Sequence, residues 1–366
     1  TINNMQQAGA QVLVSSMAFG VDDGGPEAEV YEAASARGIP TTMASDITKL
    51  YGLTRRTRTA AINASILPKM LDTANSTEGS VREAGVHVPL MIMRGDGGVM
   101  EITEMKKRPV LTMLSGPAAS VMGSLMYLRA SNGVYFEVGG TTTNIGVIKN
   151  GRPAIDYSIV GGHATYISSL DVRVLGVAGG SMIRVNKSGV HDVGPRSAHI
   201  AGLDYAVFTD EEEIVEPRLE FFSPKEGDPE DYVAIRLKNG RRVTITNSCA
   251  ANVLGLVTPR DFSYGNVNAA RKAMQPIADY LHTTVEDVAA QILTRAYEKI
   301  EPIIMELADK YRLEHDQISL VGVGGGATSL IGFCANKMNI KYSVPENAEV
   351  ISSIGCLLYT SPSPRD

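Results

Sequence analysis

The sequence predicts an α/β protein, organised as two domains or as one large α/β unit. Three observations carry this. Short apolar runs of strand character alternate with helical patterns along most of the chain. Two glycine-rich loops interrupt apolar segments, at EVGGTTTNIGVIKNG (137–151) and at LVGVGGGATSL (320–330). Asn150–Gly151 and Asn239–Gly240 each separate two alternating runs, as two-residue hairpin turns do. The 366 residues, 44% of them hydrophobic, are enough to bury a large core.

In chain order, INNMQQAGA reads as a helix that feeds an apolar strand within QVLVSSMAFG. A helix follows over about 26–37, stopped by Gly38–Pro40, and a long helical stretch runs from about 54 to 84. After Pro89, LMIMRGDGG reads as a strand entering a glycine turn. In SGPAASVMGSLMYLRA, Ser115 can cap and Pro117 suits a first turn, while Ala118, Ala119, Ser120, Gly123 and Ser124 make a helix that can pack closely, as a domain junction requires. From 134 the pattern turns β-rich through VYFEVGG, NIGVIKNG and RPAIDYSIV, and LGVAGGSMIRV places a second glycine turn between strands. The acidic, proline-containing segment 209–231 reads as a solvated surface insertion. Residues 268–312 are helical, with Thr284 and Asp287 in capping-box spacing and Pro302 placed to kink the second helix. The chain then gives strand, glycine loop, helix and strand over 318–345. Thr1 reads as an internal start, and Tyr359–Asp366 as a non-native tail outside the fold.

Charge and cysteine usage exclude several classes of function. There are 34 Lys and Arg against 40 Asp and Glu, a net charge of −6, with no basic run and no aromatic-basic interleaving, so neither nucleic acid nor an anionic membrane is an expected partner. Cys249, Cys334 and Cys356 are far apart in apolar surroundings, which fits a reducing cytoplasm and neither a disulfide framework nor a zinc site. No stretch approaches the roughly 20 apolar residues of a membrane helix.

The glycine loops pose the chemical question. A P-loop runs from a strand into a helix, but residues 144–148 are β-like, so the first loop joins antiparallel strands. There, Gly139 and Gly140 can free successive backbone N–H groups as an anion nest, and the hydroxyls of Thr141, Thr142 and Thr143 can donate to phosphate oxygens. A plain Gly-Thr hairpin is the bland alternative, since threonine is also a good strand residue. Glu137, at the strand end, can orient a magnesium ion's water shell or an attacking water; a solvent-facing strand-end charge is its counterpart. The second loop, Gly322 to Ala327, loosely fits a dinucleotide fingerprint, but about 40 residues remain after it, too few for the rest of a Rossmann sheet. A backbone laid against adenine or ribose at Gly324, Gly325 and Gly326 is the better reading. His163, His191 and His199 with Asp192 match no standard ligand spacing, Ser181 and Ser197 lack a nucleophile-elbow setting, and the 15 Met residues read as packing.

EVGGTTTNIGVIKNGRP resembles the DxGGTTTD-type phosphate loop of the hydantoinase/oxoprolinase A family, which has the actin/hexokinase/Hsp70-like ATPase fold. The flanking order agrees: RTRTAAINASILP and RGDGGVMEITEMKKRPVLTMLSGPAASVMG before it, LGVAGGSMIRV and VGPRSAHIAGLDYA after it, and LVGVGGGATSL and AEVISSIG at the end, spanning about 10 to 358. The resemblance implies duplicated RNase H-like domains with a nucleotide cleft: residues 1–130 as the remainder of the first domain with its connecting helix, 131–358 as the second, with a β-rich insertion at about 160–250, and 359–366 as the non-native tail. It also implies a first phosphate loop upstream of Thr1. Gly139, Gly140, Thr141, Thr142 and Thr143 would hold phosphate, Gly324 to Gly326 the adenosine, and Glu137 and Asn144 would be catalytic, with Glu137 serving magnesium.

Two departures matter. Glu137 replaces the family's first Asp and Asn144 the closing Asp, and Asn cannot supply negative charge to a metal. The implied function is ATP- and magnesium-dependent hydrolysis of a cyclic amide, with a B-type hydantoinase subunit or further copies of the chain as partner. The alternatives are an ATP-binding carboxylase subunit, a nucleotide-driven reactivase-like module, or a dinucleotide-dependent oxidoreductase built on 318–345.

Overall fold

The computed structural model describes residues 1–128, 132–314 and 318–360, and the backbone falls into two compact units. Unit 1 comprises residues 1–119 and 155–171 with the chain from 356 onward; unit 2 comprises 120–154 and 172–355.

Unit 1 begins with the expected Ile2–Gln7 helix, followed by two parallel strands, Leu13–Ser15 and Thr41–Met43, joined through the Gly25–Ser35 helix. The long expected helix is present as Leu53–Glu83. Two hairpins complete the unit, Met91–Met93 with Val99–Glu101 and Ile155–Val160 with His163–Leu170. The second turns at Gly161–Gly162, both at positive φ, as a tight hairpin requires. Residues 155–171 therefore group with the first unit, apart from the β-rich stretch in which the sequence places them.

Unit 2 is built on a sheet whose five main strands we label β1 (Gly133–Val138), β2 (Thr143–Lys149), β3 (Val172–Leu175), β4 (Ser319–Val323) and β5 (Lys341–Ser343). Their spatial order is 3-2-1-4-5. β1, β2 and β3 form an antiparallel meander, while β4 and β5 run parallel to β1. This is the RNase H-like arrangement implied by the resemblance, and it differs from the all-parallel Rossmann sheet of the oxidoreductase alternative. The Asn150–Gly151 hairpin forms, with Arg152–Pro153 returning along β2.

A second, largely antiparallel sheet holds Ser181–Asn186, Gly189–Ser197, Tyr232–Arg236 and Arg242–Thr244, with Asp204–Tyr205 parallel at its edge. The segment expected to be a solvated insertion supplies a further strand, Arg218–Phe222, paired along Tyr232–Arg236. Its charge is neutralised in place: Glu220 binds Arg236 at 2.6 Å and Arg242 at 3.1 Å.

One hydrophobic core joins the two sheets of unit 2 to its helices. The Val285–Tyr311 helix supplies Val288, Ile292, Ala296, Ile300, Ile304 and Leu307, spaced three or four apart so that one stripe is buried. The expected Thr284 cap forms, its side chain accepting the Asp287 N–H at 3.1 Å. The Ser115–Leu128 helix crosses the Ile351–Thr360 helix at Gly123, where a Cβ would collide with the Ile351 carbonyl and meet the Gly355 nitrogen at 3.1 Å. Residues 361–366, most of the expected tail, lie outside the described residues.

Candidate functional site

The β1–β2 register pairs Val138 with Thr143 and Glu137 with Asn144, so residues 139–142 form a tight connection. Gly139 donates its N–H to the Thr142 carbonyl at 3.0 Å, which closes the turn. The anion nest expected from successive free N–H groups therefore does not start at Gly139; the N–H groups of Gly140 and Thr141 make no backbone bond among the described residues.

Two other glycine pairs meet this turn. Gly179 and Gly180 donate to the carbonyls of Gly139 and Gly140 at 3.1 and 3.0 Å, and Gly326 donates to the Val138 carbonyl at 2.9 Å. The close approach explains the residue type. A Cβ on Gly326 would lie 2.8 Å from the Gly139 carbonyl, one on Gly179 2.9 Å from Ser248 Oγ, and one on Gly180 would overlap the Tyr205 hydroxyl. Gly324 has φ +87° and turns the chain past Val138. Gly139–Gly140, Gly179–Gly180 and Gly325–Gly326 thus form a bare main-chain floor.

Over this floor lies a cavity of about 300 Å³, lined also by Tyr205, Phe208, Ser248, Phe262 and Ser263. A second cavity of about 550 Å³ shares Gly140, Tyr205 and Phe208 and continues past Thr141 to His199, Asp204 and Arg241. The expected residues divide accordingly. Gly139, Gly140, Gly325 and Gly326 line the first cavity, Thr141 the second, and Gly324 shapes the loop from behind.

The three threonine hydroxyls also differ. Thr143 is fully buried and donates to the Val177 carbonyl, Thr142 is exposed, and Thr141 Oγ1 lies 3.1 Å from Ser197 Oγ. Ser197 also caps the short Ala198–Ala201 helix, accepting the Ile200 N–H, and so ties that segment to the loop.

Glu137 sits at the loop's edge with both oxygens engaged. Ser120 Oγ donates to one at 2.6 Å and Asn144 Nδ2 to the other at 2.9 Å. The buried Tyr135 phenol, two residues earlier on β1, has its pKa pushed well up by burial and by the Glu137 charge. No group of three or more His, Cys, Asp or Glu residues able to hold a metal occurs among the described residues. His191 instead binds Asp231 at 2.8 Å, and Asp192 is taken by Arg184 and Lys299. Glu137 is the one carboxylate at the loop's edge that accepts the Ser120 and Asn144 bonds. Each carboxylate oxygen keeps a second lone pair, which fits contact through an ion's water shell.

Sequence reasoning missed Gly179, Gly180, Tyr205, Phe208, Ser248 and Phe262. The AGGS motif was visible as a turn, but its pairing with residues 139–140 is long-range. Asn247, beside Ser248, is fully buried: its Nδ2 donates to the Ala178 carbonyl at 2.7 Å, and its Oδ1 has no hydrogen-bond partner among the described residues.

Comparison with known proteins accords with this arrangement. The acetophenone carboxylase gamma subunit of Aromatoleum aromaticum is 29% identical over 46% of this chain and 24% of its own length. Caprolactamase subunit alpha of Pseudomonas jessenii is 29% identical over 39% of this chain and 21% of its own. Among solved structures, the ATP-dependent caprolactamase from Pseudomonas jessenii superposes with TM-score 0.72 at 22% identity, over 98% of this chain and 49% of that one. Nucleotide-free acetone carboxylase gives TM-score 0.66 at 20% identity, over 97% and 48%. These likenesses establish a shared fold, and the chain spans about half the length of the solved relatives it matches. The family model described as hydantoinase/oxoprolinase matches residues 56–360, and the chain belongs to that family.

Proposed function

We propose that this chain is the ATP-binding part of an enzyme that activates a carbonyl compound, and that its substrate is a cyclic amide opened by water. The observation that carries the reading is the main-chain floor of three glycine pairs beside Thr141, with Glu137 at its edge. Side chains are absent where a polyphosphate would lie closest, while peptide N–H groups and hydroxyls remain to receive its charge. The name of one relative, the caprolactamase of Pseudomonas jessenii, supports the substrate class, since caprolactam is a cyclic amide.

An amide carbonyl resists water because resonance makes it a poor electrophile; ATP supplies a phosphoryl group that converts its oxygen into a leaving group. In this assignment Gly139, Gly140, Thr141 and Thr142 hold phosphate, Thr143 fixes the loop from beneath, and Gly324, Gly325 and Gly326 carry the adenosine. Glu137, aligned by Ser120 and Asn144, orients water, either the attacking molecule or one from the shell of magnesium carried on the nucleotide. A B-type subunit or a second copy of the chain completes the enzyme, in the cytoplasm.

Calorimetric titration of magnesium-ATP tests the assignment. Thr141→Ala and Gly140→Val are each expected to weaken binding by about tenfold or more, the worth of one contact to a charged group. Unchanged affinity in both variants overturns it.

A second reading rests on Asn144, which gives Glu137 a neutral partner. A nucleotide-driven subunit of a carboxylase, the class named by another relative, needs no hydrolytic water on this chain. Turnover separates the two: release of phosphate with a cyclic amide favours the first, and activity confined to a ketone with a second subunit favours the other.

A further inference from the structure

Phe262 is 72% exposed and Phe208 54% exposed, yet both line the same cavity over the glycine floor. Neither is a loose surface residue. Phe262 sits in a loop fixed on both sides: Asp261 accepts the N–H and hydroxyl of Thr258 at 2.6 and 2.7 Å, the Ser263 carbonyl accepts from Asn252 at 2.9 Å, and Ser263 Oγ lies 2.7 Å from Thr328 Oγ1. The last bond ties the loop to the Ala327–Met338 helix that leads out of the glycine floor. The Phe262 ring lies against bare backbone, since a Cβ on Gly325 would be 2.7 Å from it. Phe208 is stacked on Tyr205, ring centroids 5.4 Å apart at 30°. Two exposed rings held in fixed positions along one cavity offer a flat ligand an aromatic platform.

The side-chain polar groups of this cavity are largely committed, apart from the Tyr205 hydroxyl, which can donate or accept and so does not select one base edge. Ser248 Oγ donates to the Gly179 carbonyl at 3.0 Å and shares a bond with Ser329. The Ser263–Thr328 pair uses one of its two hydroxyl hydrogens on itself. No charged or amide side chain lines the cavity among the described residues. The wall can grip a flat ring by its faces and has little with which to read its edge.

We propose that Phe208 and Phe262 bind the base of the nucleotide by stacking, and that the site accepts adenine and guanine nucleotides alike. The inference rests on the reading that unit 2 binds a nucleoside triphosphate on its glycine floor. Stacking suits this role because every base offers a π-face, and removing an aromatic platform lowers affinity by about tenfold or more.

Three probes test it on the full chain: ATP, GTP and inorganic tripolyphosphate, each titrated with magnesium. Phe262→Ala and Phe208→Ala are expected to weaken ATP and GTP by about tenfold and to leave tripolyphosphate within twofold, with GTP within about fivefold of ATP in the parent protein. Because the chain contains no tryptophan, Phe262→Trp introduces a single reporter whose emission ATP should quench and tripolyphosphate should not. Unchanged ATP affinity in both alanine variants, or a preference for one purine above about a hundredfold, overturns the stacking assignment while leaving the glycine floor in place. Failure of the parent to bind either ATP or tripolyphosphate overturns the floor reading and the stacking proposal together.

Discussion

Asn144 sets how much negative charge stands beside the 139–142 turn. Its amide holds one oxygen of Glu137 at 2.9 Å, and an aspartate there would oppose that carboxylate with a second one. Like charges this close raise the pKa of one partner and cost stability at neutral pH unless a cation intervenes. Asn144→Asp is therefore expected to melt lower than the parent at pH 7 and to recover on adding magnesium chloride, a response the parent lacks; equal magnesium response in both proteins would refute this. Gly180→Ala should weaken nucleotide binding, because the new methyl displaces the Tyr205 hydroxyl at the wall between the two cavities. The Glu137–Asn144 partnership was legible from the hairpin, since a two-stranded register fixes which residues oppose each other. Gly180 was not, because its neighbours Gly140 and Tyr205 are distant in sequence.

Among the elements, the Val285–Tyr311 helix was the most legible, its buried stripe and Thr284 cap both following from local spacing. Ile300, fully buried, should cost about 2–5 kcal/mol when replaced by Ala, whereas Thr284→Ala should cost about 1 kcal/mol, measured by denaturant unfolding. The Arg218–Phe222 strand was illegible because a sequence window shows charges and not the arginines that neutralise them. The loop after it offers a pH test. Arg196, bonding both oxygens of Asp228 at 2.7 and 2.8 Å, lowers that carboxyl below its ordinary value of 3.8. A lowered folded pKa gives stability that is present at neutral pH and lost as pH falls through that folded value. Asp228→Asn should thus lower the thermal midpoint at pH 7 and converge with the parent in strong acid; an equal deficit at both pH values would refute the ion pair's role.

For the whole molecule, the sheet order was reachable only through the order of motifs, because β4 lies beside β1 across most of the unit's sequence. Local periodicity gives strands and not their neighbours. Cysteine reactivity offers a global check on the packing. Cys249 and Cys334 are buried, burial raising both thiols and carrying Cys334 up to about 12, while Cys356 is exposed. A thiol reagent should modify one cysteine quickly in the native protein and the other two only on unfolding. Rapid reaction of all three would show that the core opens.

Gly179, Gly180 and Gly326 meet residues 138–140 through main-chain hydrogen bonds. Because the glycine floor is held together by peptide groups, its shape depends on the absence of side chains at its glycines. Under the proposed function grip and reactivity are separable traits: exchanging Glu137 and Asn144 would retune or silence the reaction while the main-chain seat proposed for the polyphosphate keeps its shape.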